Sequence, residues 1–407
     1  MTEHTDILIV GGGLVGASLA LALEAAGRRA TLVEAMPPRV PAAGTVAAAD
    51  ENDRNLVLAR ASVNALRTLQ VWPRLDAVAG TIKRLEVSRA GEFGRVRMTA
   101  DDAGLDALGR VVPGRVLAAA LEVRLAECRS VQRLAPAKLE SLVAGDSGWR
   151  ARVVTTDGVQ EIETRLVVGA DGSDSNVRAQ VGIAVQEHDY AQSLFVSSVT
   201  CGRDVVDCAF ERFTDDGPVA LLPLPNRRCG LVLTVAADRH DEVAAMDDAA
   251  FLALAQQRFG WKLGAFTRPG KRFPHRIRRV LAEALTASRA VLVGNAAQTV
   301  HPIGAQGFNL GLRDALTLAE LVVGADDPGA PALLRDYAAR RRPDRDGVVA
   351  FSHGLVSLAC LAQPSLAPLR SLAMAAMDRV PMLRLAVARR GMGFRGDPPA
   401  ATLDSAP

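Results

Sequence analysis

The chain has 407 residues, a formal net charge of +3 and an aromatic content of only 4%. This length is enough for two or three domains, and the small net charge argues against nucleic-acid binding, which usually needs a concentrated basic surface. The five scattered cysteines form no Cys-x-x-Cys pair, so we expect a reduced, cytoplasmic protein without a structural zinc or other metal site.

The first predicted unit is a strand, a glycine-rich turn and a helix. Asp6–Val10 is the predicted strand, and the turn after it has the spacing Gly-x-Gly-x-x-Gly at Gly11, Gly13 and Gly16. In this context the first glycine makes a tight turn, the second lets a pyrophosphate approach the backbone, and the third packs helix on strand. Acidic residues precede this apolar segment, which indicates folded interior and argues against a signal peptide.

A second strand, Arg29–Val33, ends at Glu34. A carboxylate at this spacing can accept hydrogen bonds from an adenosine ribose, and it would repel a 2′-phosphate. The sequence therefore predicts a dinucleotide site, and the motif alone does not separate FAD from NAD. The next predicted loop, Pro37–Ala49, is followed by Asp53 and Arg54, which are either solvated charges or ligand contacts.

A third buried strand, Leu166–Ala170, leads into a polar turn that begins with Asp171 and Gly172. Ligands of parallel sheets bind at the carboxyl ends of the strands, where this turn would lie. The alternative is a capped helix start, with Ser or Asp as the capping residue. Both interpretations hold together.

From about Gln192 to Ala236 the pattern changes to short β-rich runs separated by turns, which predicts an inserted antiparallel sheet. The predicted fold class is therefore α/β, or α+β overall: a Rossmann-like domain with an inserted antiparallel β-sheet domain and a C-terminal helical segment. The predicted boundaries are 1–77, 101–183 and 286–345 for the dinucleotide-binding domain, 78–100 and 184–285 for the substrate domain, 346–395 for the helical segment, and 396–407 for a disordered tail.

A second glycine-rich strand-turn-helix unit lies near the C-terminal end. Ala290–Val293 is the predicted strand, and a helix is predicted from about Phe308 to Val323. The connection contains Asn295, His301, Pro302, Gly304, Ala305, Gln306 and Gly307. The helix start would present unpaired N–H groups and a positive dipole end to a ligand edge that carries negative charge. On this segment alone, an ordinary strand-turn-helix unit is an equally good interpretation.

The C-terminal segment is apolar and helical in pattern, and Pro381 is expected to interrupt the helix. One stripe contains Leu369, Leu372, Ala376, Val380, Leu383 and Val387, with several arginines around it. Packing against the dinucleotide-binding domain is one interpretation of this stripe. A membrane-facing or partner surface is the other.

Together these motifs resemble those of the flavoprotein aromatic hydroxylases, and within them the ubiquinone-biosynthesis hydroxylases. The resemblance covers the chain to about Arg345 and rests on GGGLVG (11–16) with Glu34, Asp53-Arg54, GADGSDSNVR (169–178) and GNAAQTVHPIGAQGFNLGLRD (294–314). The segments FERFTDDGPVALLPL (210–224) and FGWKLGAF (259–266) are most similar to the members that act on polyprenylated methoxyphenols.

The resemblance implies non-covalently bound FAD. It implies that the pyrophosphate, the ribose, the ribityl chain and the isoalloxazine ring contact Gly11, Gly13, Gly16, Glu34, Arg54, Arg115, Asp171, Gly172, Asn295, Gly304, Ala305, Gln306, Gly307, Phe308 and Asn309. Two residues depart from the family pattern. Asn295 replaces a carboxylate that is usual there, and Gly304-Ala305 replaces the more frequent Ala-Gly. If position 305 needs a positive φ, Ala305 is strained by about 1 kcal/mol or more.

The resemblance also implies the chemistry. In the family, NADPH or NADH reduces FAD, O₂ adds at flavin C4a, and the hydroperoxide transfers a hydroxyl group to an activated phenol. His301 and Pro302 lie in the flavin motif and are the candidate catalytic residues, although a hydrogen-bonded structural histidine is the more common case. Only two tyrosines occur, Tyr190 and Tyr337, which argues against a tyrosine relay of the kind used on small phenolic acids.

The implied partners are a prenylated phenolic lipid substrate, a ubiquinone-biosynthesis protein complex and a peripheral membrane contact. Two alternatives stay open at this point. One is hydroxylation of a soluble phenolic acid by the same fold. The other is a non-catalytic flavin-binding subunit of a biosynthetic complex.

Overall fold

The structure is a computed structural model and describes residues 2–38, 55–360 and 364–403. Its strands are, in chain order, β1 (Thr2–Val10), β2 (Ala30–Val33), β3 (Asn55–Ala59), β4 (Gly80–Ile82), β5 (Arg84–Arg89), β6 (Arg95–Thr99), β7 (Gly109–Pro113), β8 (Val131–Leu134), β9 (Ala137–Ala144), β10 (Trp149–Thr155), β11 (Gly158–Gly169), β12 (Val185–Cys201), β13 (Cys208–Phe213), β14 (Val219–Pro223), β15 (Arg228–Ala236), β16 (Phe266–Thr267), β17 (Phe273–Ala282), β18 (Thr286–Ala287), β19 (Ala290–Leu292) and β20 (Gln298–Thr299). Its α-helices are α1 (Leu14–Ala25), α2 (Arg60–Thr68), α3 (Gly114–Ala126), α4 (Asn176–Gln180), α5 (His240–Ala245), α6 (Asp248–Phe259), α7 (Gln306–Val322), α8 (Pro331–Cys360), α9 (Ala367–Arg379) and α10 (Pro381–Gly391).

The first sheet is built around β1, which lies between β11 and β2 in parallel pairing. β19 extends the sheet beyond β11, and β8 extends it beyond β2, both also in parallel. Ile7, Leu8 and Ile9 of β1 have no exposed surface, and residues of α1, α3 and α7 join the same core. A parallel strand that is covered on both faces needs a continuous apolar run, which explains the sequence of β1. The registers place Val10, Val33 and Gly169 at one edge.

The second sheet contains β12, which at 17 residues is its longest strand and lies between β15 and β17. The order continues through β14, β13, β5 and β6. One face packs on α6, with Phe210, Phe251 and Phe259 in a common core. The predicted antiparallel sheet is formed, but β13 and β5 pair in parallel. β5 belongs to a separate, earlier stretch of chain, so no hairpin connects it to β13.

A small third sheet joins β3, β7 and β4 in antiparallel pairing. It touches the second sheet at Gly80, where an added Cβ would lie 2.1 Å from the carbonyl oxygen of Pro223. Only glycine allows this close approach of β4 to β14. The third sheet therefore positions β3 beside the larger antiparallel sheet.

The C-terminal part differs from the expectation at two points. α8 runs through the predicted boundary at 345/346, with Pro343 inside the helix. The prediction of a disordered tail from residue 396 is wrong for Ala400–Thr402, which form a 3₁₀ turn. Thr402 is buried, and its carbonyl accepts from the side-chain amide of Asn64 at 3.1 Å, so a buried amide of α2 holds this segment. The expected interruption at Pro381 is confirmed, because α9 ends at Arg379.

The predicted fold class, α/β or α+β overall with a Rossmann-like unit and an inserted sheet, is confirmed. The exact division into domains stays a prediction. Among the helices in the described part of the chain, none combines the length and the hydropathy that a bilayer span requires.

Candidate functional site

The turn after β1 contains two structural glycines and one that borders open space. Gly11 has a φ of +103°, and its N–H donates to the carbonyl of Val33 at 2.8 Å. Gly16 lies against the Gly11 carbonyl and lets α1 pack on the turn. Gly13 is the N-cap of α1, yet no side chain caps the helix, and an added Cβ would meet no described atom within 4 Å. The free N–H groups of α1 therefore face space that suits a pyrophosphate.

Glu34 lies beside this turn, directly after β2. Its Oε2 accepts from the N–H of Gly12 at 2.5 Å, and its Oε1 accepts from the N–H of Met36 at 2.8 Å. These bonds orient the carboxylate at the edge of the sheet. Each oxygen has a further lone pair, so Glu34 can still accept from the hydroxyls of a ribose.

Asp171 and Gly172 follow β11 and lie next to Gly11, whose added Cβ would be 2.8 Å from the Cα of Asp171. Asp171 accepts from the N–H of Val177 at 3.0 Å and from the Ser175 hydroxyl, so it helps to begin α4. The capped-helix interpretation is confirmed with Ser175 as the N-cap of α4, because its hydroxyl accepts from the N–H of Arg178 at 3.0 Å and Asp171 supports it. Gly172 has a φ of +88° and open space at its Cβ position, so the backbone here borders the same edge.

Asn295 is exposed and lies in the 3₁₀ turn Gly294–Ala296, which begins two residues after the end of β19. Buried Asp314 of α7 fixes this turn, since its Oδ2 accepts from the N–H of Gly294 at 3.1 Å and from the Gln298 amide at 2.6 Å. Its Oδ1 accepts from Arg341 at 2.7 Å. Asn295 is thus presented at the sheet edge by a turn that a buried ion pair anchors.

In the turn before α7, Ala305 has the positive φ that would strain an alanine at this position. Gly304 has a φ of +69°, and Ala305 has a φ of +51° and a ψ of +41°, which is left-handed. Ala305 is also the N-cap of α7 and offers no side chain to cap it. The left-handed conformation at Ala305 is strained, because a Cβ there crowds the backbone.

The first residues of α7 differ in what their side chains contact. Asn309 is buried, and its side chain joins α7 to β3: Oδ1 accepts from the N–H of Ala59 at 2.9 Å, and Nδ2 donates to Val57 O at 2.9 Å. Phe308 packs against the main core. Gly307 has open space at its Cβ position. The side chain of Asn309 is therefore committed to the protein, which leaves its backbone N–H as the candidate for a ligand, whereas Phe308 is half-buried.

Gln306 supplies a buried acceptor without a partner. Its Nε2 donates to the carbonyl of Gly304 at 2.9 Å and lies 3.4 Å from that of Gly391 in α10. Its Oε1 is buried and has no hydrogen-bond partner among the described residues. A buried orphaned oxygen of this kind is normally satisfied by a ligand or water.

Of the two predicted arginines, Arg54 lies outside the described residues. Arg115 is exposed at the start of α3, two residues after Pro113, the residue of β7 that pairs with Asn55.

His301 is buried and fully hydrogen-bonded. Its Nδ1 accepts from the N–H of Ile303 at 3.1 Å, so the neutral ring carries its hydrogen on Nε2, which faces Gln192 Oε1 at 3.2 Å. Burial lowers the pKa of His301 to about 4. These contacts are those of a neutral, structural histidine. Pro302 follows it, and both residues line the cavity described next. A catalytic role for either residue stays a prediction.

A cavity of about 360 Å³ lies between the second sheet and the turn that begins α7. Its walls come from β3, the strands of the second sheet, the turn and the C-terminal helices, and include Val57, Leu85, Val87, Met98, Leu194, Glu211, Phe213, Leu222, His301, Gln306, Met377, Val387 and Met392. The lining is mostly apolar, and its described residues include no Lys or Arg. Such a chamber suits an uncharged aromatic ligand.

Glu211 is the cavity residue that the sequence analysis missed. It lies on β13 between Ala209 and Phe213, which face the cavity with it. Burial raises its pKa to about 7. The sequence does contain a signal for it. Side chains two residues apart on a strand share a face, and Glu211 is an acidic residue between apolar Ala209 and Phe213.

The residues present fit FAD. α1 and α7 both begin without a side-chain cap and beside open space, Glu34 ends the second strand, and Gln306 has an unsatisfied oxygen. α1 and α7 pack side by side near their N-terminal ends, because the Cγ2 of Val15 would lie 2.8 Å from a Cβ on Gly311. No group of three or more His, Cys, Asp or Glu residues in the described ranges is arranged to hold a metal ion.

Comparisons with known proteins agree with this geometry. The family described as FAD binding domain matches residues 4–352. The chain is 36% identical to ubiquinone hydroxylase UbiL of Rhodospirillum rubrum over 392 residues, 95% of this chain and 89% of that protein. It is 33% identical to 3-demethoxyubiquinol 3-hydroxylase of Escherichia coli (strain K12) over 402 residues, 96% of this chain and 99% of that protein. The solved structure of p-nitrophenol 4-monooxygenase PnpA from Pseudomonas putida DLL-E4 has a similar fold, with a TM-score of 0.79, 17% identity and coverage of 97% and 99% of the two chains.

Proposed function

The chain belongs to the family of FAD-dependent hydroxylases of ubiquinone biosynthesis, and from this we propose that it hydroxylates the ring of a polyprenylated phenol or methoxyphenol. The proposed electron donor is NADPH or NADH, and the proposed oxygen source is O₂. Bound FAD would supply the chemistry of accepting a hydride and activating O₂, and the protein would supply binding and orientation.

The residues of the sheet edge would hold the cofactor. The N-terminus of α1 at Gly13 would bind the pyrophosphate, and Glu34 would accept from the ribose. The N–H groups at the start of α7 would face the edge of the ring system that becomes negative on reduction. The cavity would hold the phenol ring beside this turn and keep water away from it.

The observation that carries the proposal is the apolar cavity beside the flavin motif. Its described lining contains no Lys or Arg, whereas a small phenolic acid would need a cation to pair with its carboxylate. An apolar chamber instead favours a ring that carries a hydrocarbon tail, since each buried CH₂ contributes about 0.8 kcal/mol. This preference argues against the soluble phenolic acid as substrate.

The route for the tail leads to the C-terminal helices. Met377, Val387 and Met392 line the cavity from this side. The same helices expose apolar side chains to solvent: Leu369 is 66% exposed, Leu372 59%, Met382 82% and Leu383 50%. We propose that this exposed surface, together with Arg389 and Arg390, rests on a membrane and receives the lipid substrate. Four of the six residues of the predicted stripe, Leu369, Leu372, Val380 and Leu383, are exposed, whereas Val387 packs in a core beside β6.

Deletion of the gene in its host tests the proposal. We expect loss of ubiquinone and accumulation of a prenylated phenolic lipid that lacks one ring hydroxyl, with rescue by the wild-type gene. Rescue should fail with a variant that cannot retain FAD. Normal ubiquinone content after deletion, in a host without a second such hydroxylase, would overturn the proposal. Restoration by the FAD-free variant would instead support the non-catalytic subunit.

A further inference from the structure

Glu211 occupies a position of β13 that faces the apolar cavity, where an apolar side chain would be expected. Alternate side chains of β13 point to opposite faces of the sheet. Phe210 faces the α6 side, where its ring meets that of Phe259 at 5.8 Å between centroids. Ala209, Glu211 and Phe213 face the cavity. Among the described cavity residues of this sheet, Glu211 is thus the one carboxyl, on a face that is otherwise apolar apart from Thr234.

Among the described residues that line the cavity, no Lys or Arg faces this carboxyl. Its partners across the two neighbouring strands are Val87 of β5 and Ala220 of β14, and both line the cavity. The nearest charged residues of the same strands, Glu86 and Arg212, alternate onto the other face, where Glu86 pairs with Lys262. In the described part of the chain Glu211 makes no side-chain hydrogen bond or ion pair. Glu211 is half-buried, and a desolvated carboxylate without partners is costly, so this one is kept for another purpose or is satisfied by a ligand.

The other titratable group of the described lining is already committed. His301 accepts from the N–H of Ile303 at Nδ1, and its Nε2 hydrogen faces Gln192. Its pKa of about 4, which burial causes, also keeps the ring neutral at physiological pH. His301 therefore has no free lone pair in the cavity, whereas Glu211 has four sites that accept a proton or a hydrogen bond.

We propose that Glu211 is a catalytic residue that accepts the proton of the phenolic hydroxyl of the substrate. This inference rests on the proposed function. The O–H bond of the phenol breaks, its proton moves to a carboxylate oxygen of Glu211, and the electron pair stays on the phenol oxygen. That charge makes the ring carbons ortho and para to the oxygen nucleophilic.

The oxygen atom that the ring carbon receives comes from O₂, and the electrons that reduce its partner oxygen to water come from NADPH or NADH. The ring carbon then loses its hydrogen as a proton when aromaticity returns. Glu211 gives its proton back to the ring oxygen, so the carboxylate is regenerated for the next turnover. A pKa near 7, raised by burial, places this group between both protonation states at the working pH.

The test compares Glu211→Gln with Glu211→Asp in FAD-loaded enzyme. Glu86→Gln is the matched control, because Glu86 lies on the neighbouring strand and faces away from the cavity. The substrate is a methoxyphenol that carries two isoprene units, and product formation is followed from pH 5.5 to 9. We expect hydroxylation by the wild type to rise through about pH 7, and Glu211→Gln to lose roughly 100-fold below the pKa of the phenol.

A fluorinated analogue of the same phenol, already ionised at pH 7, separates this role from a structural one. With it, the loss caused by Glu211→Gln should shrink to a fewfold, and Glu211→Asp should retain more activity than Glu211→Gln on both substrates. ¹³C NMR of labelled glutamate carboxyls should show one group that titrates near pH 7 and is missing in Glu211→Gln.

The outcomes distinguish the two proposals. If wild-type enzyme forms no hydroxylated product, the proposed function fails. If the wild type hydroxylates and Glu211→Gln keeps the same pH profile, the role of Glu211 is overturned. An equal loss on the ordinary and the fluorinated phenol would overturn it as well, because a base is not needed for a phenol that is already ionised.

Discussion

A Cβ on Gly16 would lie 1.9 Å from the carbonyl oxygen of Gly11, whereas a Cβ on Gly13, between them, would meet no described atom within 4 Å. The fold therefore requires the first and third glycines of the motif. The middle glycine is free for a ligand, which allows the cofactor site to be tested without disturbing the fold.

Gly13→Val should abolish retention of FAD and leave the fold intact. The branched side chain would enter the open space at the start of α1, where the pyrophosphate is expected. The purified variant should be colourless, with a far-UV circular dichroism spectrum like that of the wild-type apoprotein. Gly354→Val, at an exposed site of α8 with equally open space, is the control and should stay yellow. Normal FAD content in folded Gly13→Val would show that this turn does not bind the pyrophosphate.

Ala305→Gly should stabilise the protein by up to about 1 kcal/mol, because glycine adopts the left-handed conformation without the crowding of a Cβ. Gly304→Ala is the opposite case and should destabilise it by about 1 kcal/mol. Its φ is +69°, and its added Cβ would meet only Phe351 at an ordinary 3.7 Å. Urea unfolding of both apoproteins measures the effects, and a less stable Ala305→Gly would refute the left-handed turn.

Glu211→Gln should stabilise the protein at high pH only. The folded pKa of about 7 lies above the ordinary value of 4.5, so folding favours the protonated form. This stabilisation is complete below about pH 4.5 and is lost as the pH rises through 7. The glutamine variant avoids that loss, and its gain should be small at pH 5 and about 2 to 3 kcal/mol at pH 8. Unfolding curves at both pH values check this, and a gain of the same size at pH 5 and 8 would show that Glu211 titrates normally.

The exposed surface of α9 and α10 should bind anionic vesicles of phosphatidylcholine and phosphatidylglycerol. Arg389→Glu combined with Arg390→Glu should weaken co-sedimentation by about tenfold or more, because each basic residue near such a surface contributes about 1 kcal/mol. Arg29→Glu with Arg129→Glu is the control, since both residues are exposed at the amino ends of β2 and β8. If both double variants bind as the wild type does, the membrane surface lies elsewhere or does not exist.

The parts of the site that the sequence predicted are local in the chain. The spacing of Gly11, Gly13 and Gly16, the end of β2 at Glu34 and the start of α7 each depend on a few neighbouring residues. The structure places the glycine turn beside Glu34 at one sheet edge and packs α7 against α1. The strain at Ala305 could also be anticipated from the sequence, because it depended only on whether this residue has a positive φ.

The parts that the sequence did not predict depend on distant contacts. Asn309 holds β3 across 250 residues, and no local pattern indicates that its side chain is committed there. The alternation of side chains along a strand shows that Glu211 shares a face with Ala209 and Phe213. It does not show that this face borders the turn that begins α7, because that depends on how the two large sheets pack together. The packing of Thr402 on Asn64 is equally non-local.

The central claim, ring hydroxylation with FAD, is tested most directly by isotope incorporation. The FAD-loaded enzyme, NADPH and a methoxyphenol with two isoprene units are incubated under ¹⁸O₂, and the product is analysed by mass spectrometry. The account predicts a ring-hydroxylated product with one ¹⁸O atom, and less product per NADPH from the same phenol without isoprene units. NADPH consumption that yields only hydrogen peroxide, or a product whose new oxygen comes from water, would contradict it.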